Sequence, residues 1–220
     1  MSIGGSSGSF GSPTQLAEVI GPRAERRILR IVAAAYETLS GMGRVDNSWD
    51  EDRITKDLCT QIALIWRQVS PSSVSNLVPM PQFPIHPKPS RRGRAPTIDF
   101  VFWRGYSEEV YFAFECKLVD DSDQSSLSEY IDEGMNRYIE GKYAIRMPRG
   151  GMVGYLFYSQ VNATANAINS EMLAHSGFSQ NDFLTQATFT LNGFKDLYVS
   201  SHIRRNTRTP FKIYHLFLVF

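Results

Sequence analysis

Asp99 opens the apolar run Ile98-Asp99-Phe100-Val101-Phe102-Trp103, and Glu115-Cys116-Lys117 closes a second apolar run that begins at Tyr111. Both runs are rich in β-branched and aromatic residues, and Arg104-Gly105-Tyr106-Ser107 lies between them with a turn glycine. That pattern predicts an antiparallel hairpin. Facing positions on a hairpin have a constant sum, so Trp103 opposite Val110 brings Asp99 to Phe114, and Trp103 opposite Tyr111 brings Asp99 to Glu115. In the second register the two carboxylates share a face with Cβ atoms roughly 4.5–5.5 Å apart. Lys117 joins them, and Cys116 points to the reverse side. Like charges opposed on a sheet repel, and charge near an apolar interior must be paired or bind a metal. Hard oxygen ligands suit Mg²⁺ or Mn²⁺, whose chemistry beside a lysine is that of phosphodiester hydrolysis.

Thr97-Ile98-Asp99, the hairpin and then Glu115-Cys116-Lys117 resemble the signature of the PD-(D/E)xK nucleases. Pro96 stands three residues before Asp99, whereas the motif's name places proline directly before the aspartate. The resemblance implies that Asp99 and Glu115 bind Mg²⁺, for which Mn²⁺ can substitute, with the Cys116 carbonyl as a further ligand. Lys117 would serve the attacking water. It also implies a restriction-endonuclease-like α/β fold, a mixed central β-sheet flanked by α-helices. The expected activity is that of an endodeoxyribonuclease in bacterial restriction or anti-phage defence. DNA is expected over RNA, with a homodimer or a partner subunit of a defence complex as the assembly. Two other readings stay open: a catalytically inactive subunit of the same fold that binds nucleic acid or scaffolds a complex, and an ordinary α/β domain with a structural ion pair.

The hairpin needs elements around it. In such nucleases a preceding helix often carries another acid, and here Ser48 is a plausible N-cap with Glu51 three residues on, completing a capping-box pattern. Ile54, Leu58, Ile62, Ile65, Trp66 and Val69 follow at helical spacing, with Glu51 aligned to their stripe. Glu51 is thus a candidate metal ligand, or simply a residue that caps the helix. Downstream, Leu127, Tyr130, Ile131, Gly134, Tyr138 and Ile139 predict a helix from which Asn136 or Arg137 could reach a phosphate; an ordinary solvated role is the alternative for Arg137. A strand over 151–159 completes a β-β-α-β order. Helices are predicted over 23–40, 162–175 and 180–187, and strands over 189–191, 197–201 and 212–220.

Residues 79–96 hold six prolines around Lys88, Arg91, Arg92 and Arg94, which predicts an extended basic loop leading to Asp99. Arg91, Arg92 and Arg94 are candidate backbone contacts to nucleic acid, as are His202 and Arg204 in the basic stretch 201–208. Such clusters matter because the 23 basic and 22 acidic residues of the chain nearly cancel, so positive charge for a polyanion must be concentrated locally. Cys59 and Cys116 are expected to pack as small hydrophobes, and no zinc spacing, nucleophile elbow or phosphate-cradling glycine loop is present. With 220 residues, one folded domain over 13–220 is expected after a linker-like, disordered stretch at 1–12. The lack of a signal-peptide pattern or a long apolar span makes the cytoplasm the default expectation.

Overall fold

The computed structural model describes residues 20–69, 77–85, 97–104 and 110–220. The linker-like stretch 1–12, the hairpin turn at Gly105 and the arginines at 91, 92 and 94 lie outside the described residues.

Pro22 presets the first turn of α1 (Pro22–Gly41), whose buried Ile28, Val32, Ala35 and Leu39 form the expected stripe. Helix α2 (Glu51–Gln68) buries Ile54, Leu58 and Ile62. Its N-cap is Asp50, which accepts from Arg53 N at 2.8 Å, and not Ser48, which turns back to Asp46. The capping box expected between Ser48 and Glu51 is therefore not formed. Glu51 becomes the first helical residue, and its carboxylate is released for the site below.

Seven strands form one mixed sheet in the order β1-β2-β3-β4-β7-β6-β5. They are β1 (Leu77–Pro84), β2 (Thr97–Arg104), β3 (Tyr111–Leu118), β4 (Arg149–Leu156), β5 (Thr185–Gln186), β6 (Leu197–Ile203) and β7 (Pro210–Val219). β1, β2 and β3 pair antiparallel, β3, β4 and β7 pair parallel, and β6 and β5 return antiparallel. The parallel β3–β4 step requires a crossover. It is made by α3 (Gln124–Glu129), a π-helical segment (Tyr130–Met135) and α4 (Asn136–Ile139).

Helices cover both faces, as the coarse expectation of a mixed sheet flanked by helices requires. On one face α2 reaches β4 through Thr55 Oγ1 and Tyr155 Oη, 3.0 Å apart, and α1 reaches β7 through Tyr36 Oη, which donates to Val219 O at 2.6 Å. On the other, Tyr138 Oη donates to Gly151 O at 2.8 Å, and Gly134 packs on the end of the Met152 side chain, which a Cβ there would displace. Helix α5 (Val161–Ala174) lies on this second face, where Tyr198 Oη meets the side chain of Asn162. Among the described residues no helix is long and apolar enough to cross a membrane.

Three elements differ from expectation. Residues 77–84 form a strand although they carry three prolines. β1 is the edge strand among the described residues, where proline is tolerated, and Pro84 falls at its last position. The helix expected over 180–187 is a single 3₁₀ turn (Gln180–Asp182) followed by β5. Its continuation is blocked because the Asn169 side chain holds both Leu184 N, at 2.7 Å, and Leu184 O, at 3.1 Å. The strand expected over 189–191 reduces to one bridge between Leu191 and Phe194, closed by Asn192 and Gly193 at positive φ.

Candidate active site

Phe100 pairs with Phe114 and Trp103 with Tyr111. This is the second of the two possible registers, and its continuation sets Asp99 against Glu115. The two phenylalanines stack on the reverse face with ring centroids 4.6 Å apart, which fixes the register against slippage. Asp99 sits just past the last β2–β3 pair, and its Oδ2 accepts from Cys116 N at 2.7 Å. Glu115 and Lys117 are 2% and 7% exposed, so the alternation of β3 drives both charges under the crossover helix.

Lys117 Nζ donates to Glu51 Oε1 at 2.8 Å and to its neighbour's carbonyl, Cys116 O, at 2.9 Å; Glu115 Oε1 lies 3.5 Å away. The other oxygen of Glu51 accepts from Leu118 N at 3.0 Å, so the first residue of α2 clamps the end of β3 at two points. From α4, Arg137 Nη1 donates to Glu115 Oε1 at 3.1 Å while Nη2 binds Glu133 at 2.5 Å. Tyr143 accepts from Arg137 and donates to Thr97 O, tying this cation to the start of β2. Arg137 is accordingly only partly exposed and turned toward Glu115. The structure brings it into the acidic cluster.

Glu115 Oε2 is buried and has no hydrogen-bond partner. Burial, reinforced by the Asp99 charge, lifts the Glu115 carboxyl to about 8 in spite of Lys117 and Arg137. Burial also lifts Asp99, to about 6, against the Cys116 N–H and the Lys117 charge. Burial opposes the Lys117 ammonium, but Glu51 and Glu115 outweigh it and hold its pKa above the ordinary lysine value. The cluster thus sets two cations, Lys117 and Arg137, against Asp99 and Glu115, whose ionisation burial resists.

Whether such a set fits a divalent ion depends on its donors. Among the described residues no three His, Cys, Asp or Glu side chains gather as a ready-made cage. Mg²⁺ does not need one: it is held by one or two carboxylates and completes its octahedron with waters and phosphate oxygens. The β2–β3 register continues to set Asp99 and Glu115, both hard oxygen donors, at facing positions; the Cys116 carbonyl follows Glu115 directly in the chain, and the orphaned Glu115 oxygen lacks a positive partner. These residues fit Mg²⁺ or Mn²⁺ bound in part through water.

Two other candidates are corrected. His202 is buried and lies in a chain in which Tyr130 Oη meets His215 Nδ1 (2.9 Å), His215 Nε2 meets Ser200 Oγ (2.8 Å), Ser200 Oγ meets His202 Nε2 (2.6 Å) and His202 Nδ1 meets Asp182 (3.0 Å). Asp182, His202 and Ser200 have the connectivity of a charge-relay triad, but Ser200 is 1% exposed, so no substrate can meet its hydroxyl. Arg204 is also 1% exposed. It donates to the carbonyls of Tyr143, Ala144, Ile145 and Met147 and lies 4.2 Å over the Phe211 ring. Neither side chain has surface left for a phosphate. Arg204→Ala should lower stability by about 3 kcal/mol or more, since it orphans several buried carbonyls. Chemical denaturation measures this, and a fully stable variant with weakened DNA binding would restore the surface role.

Sequence reasoning missed Glu133 and Tyr143. The i, i+4 spacing of Glu133 and Arg137 could have flagged the first. Tyr143 lies in a loop and gave no signal. A scan against protein-family models, a search of curated proteins and a search of solved structures each found no match to this chain.

Proposed function

We propose that the chain is a Mg²⁺-dependent phosphodiesterase acting on DNA, an endonuclease of PD-(D/E)xK type on a restriction-endonuclease-like fold. The observation that carries the reading is the buried Glu115 oxygen without a partner, opposite Asp99 and beside Lys117. A structural ion pair satisfies its oxygens; this arrangement leaves one bare beside a second carboxylate, the signature of a site completed by a cation. The resemblance of the motif to that of bacterial restriction and anti-phage nucleases extends the proposal to a defence role.

Asp99, Glu115 and the Cys116 carbonyl would hold the ion, which when bound polarises the phosphate and acidifies a coordinated water. Lys117 is fixed by Glu51 and the Cys116 carbonyl, so its ammonium is pre-positioned to orient a water or to offset negative charge at the phosphorane without reorganising. Arg137, braced by Glu133, supplies a second positive charge on the other side of Glu115. Glu51 acts as the group that orients Lys117, which makes a purely capping role for it too small.

The test is degradation of plasmid and single-stranded DNA in Mg²⁺ or Mn²⁺, run beside calorimetric titration with Mn²⁺. Metal-dependent nicking together with saturable Mn²⁺ binding is expected. Mn²⁺ binding without cleavage of any substrate would favour an inactive nuclease-fold subunit, and absence of both would reduce the cluster to an ion-pair network.

A further inference from the structure

A cleft of about 670 Å³ opens between α2 and the edge strand β1, and Asp99 forms part of its lining. Its volume is that of a small-molecule site. Along α2, Lys56, Thr60, Ala63 and Arg67 follow one another at i, i+4, i+7 and i+11, a single stripe that lines the cleft over roughly 16 Å of helix. The opposite wall is the flat, proline-bearing β1. There Gln82 adopts φ +49°, and the register that pairs its neighbours places it opposite Asp99. A non-glycine residue at positive φ inside a strand is strained. At this kink Gln82 lines the cleft, and its Oε1 accepts from Thr97 Oγ1 at 3.3 Å, two residues from Asp99.

From this we infer that the cleft receives one unpaired nucleotide of the substrate strand, next to the phosphate that lies at Asp99; the inference rests on the phosphodiesterase reading above. Ala63, Pro79 and Pro81 offer apolar surface to the faces of a base, while Lys56 and Arg67, both exposed, offer positive charge to the adjoining phosphates. That charge distribution selects the occupant. Asp52 lines the same wall one turn before Lys56, which leaves Arg67 as the cation that an apolar peptide would not answer, and a paired base cannot enter a slot between a helix and a strand without first leaving its stack. The substrate is therefore single-stranded DNA.

An oligonucleotide carrying a single 2-aminopurine, in Ca²⁺ so that binding is read without turnover, tests this. Its emission should rise at least about threefold on binding as single strand and stay nearly flat as duplex, with the single strand bound about tenfold more tightly. Ala63→Trp and Thr60→Trp, both at partly exposed helix positions, fill the cleft and should abolish the rise and weaken single-strand binding by about tenfold. Leu173→Trp on the exposed side of α5 should change neither. Circular dichroism melting checks that each variant folds. Equal affinity for both forms, flat emission with single strand, no binding, or an undiminished rise in Ala63→Trp would overturn the inference. Failure of the nuclease reading has a different signature: an intact 2-aminopurine response with no Mg²⁺-dependent cleavage.

Discussion

Asp99→Ala is expected to reduce Mg²⁺-dependent DNA cleavage by at least about 10³-fold, the scale on which groups that organise transition-state charge act. The loss should fall on turnover and on Mn²⁺ binding together, because the aspartate is one of only two carboxylates in the proposed ligand set. Folding should survive. Asp99 lies just past the last β2–β3 pair, burial raises its pKa to about 6, and the hydrogen bond its side chain accepts from Cys116 N can pass to water at a partly exposed position. A folded Asp99→Ala protein that still cuts DNA and still titrates with Mn²⁺ would remove Asp99 from the site and dissolve the proposal. A protein that loses cleavage but keeps full Mn²⁺ affinity would move the ion to Glu115 and Glu51 instead.

The acidic cluster was legible because a strand has a period of two. Once Asp99 and Glu115 were placed on paired strands, only two registers were open, and the stacking of Phe100 on Phe114 selects the one that opposes them. Helical spacing likewise carried Glu51 to the correct side of α2, although the cap was misplaced by two residues: Ser48 and Asp50 are both good caps, and local preference does not rank them. Unreadable parts depend on tertiary context. Arg204 looks like any surface arginine until the loop of 143–147 folds its carbonyls around it. β1 reads as a proline loop because edge and centre positions differ only by a neighbour that the sequence does not display. The 3₁₀ turn at Gln180–Asp182 ends where Asn169, over ten residues upstream, captures the Leu184 backbone. Charge at positions 202 and 204 suggested a polyanion; burial converts it into internal cross-linking.

Glu115→Gln should make the protein more stable at pH 8.5 while depriving it of its metal response. Burial, with Asp99 opposite, sets the Glu115 pKa in the folded state near 8, against about 4.5 in the unfolded chain. Between those values the folded state binds the extra proton, so stability declines as pH rises through that window. Glutamine has no proton to lose and escapes the decline. Lys117 keeps Glu51 and Arg137 keeps Glu133 as partners, so the substitution strands neither cation. Removing a buried charge under such conditions stabilises by about 1–3 kcal/mol, and a chain of this size gains roughly 2–4 °C in Tm for each kcal/mol. The gain should vanish near pH 4.5, where the wild-type carboxyl is already protonated. Saturating Mn²⁺ should narrow or reverse the order at pH 8.5, because only the wild type couples metal binding to its folded state, releasing a proton as it does so. Melting curves across pH, with and without Mn²⁺, decide it. A glutamine variant less stable at pH 8.5 would mean that Lys117 and Arg137 already satisfy the carboxylate, leaving no electrostatic room for an ion. The site would then be held together by the charges that the metal hypothesis treats as waiting for one.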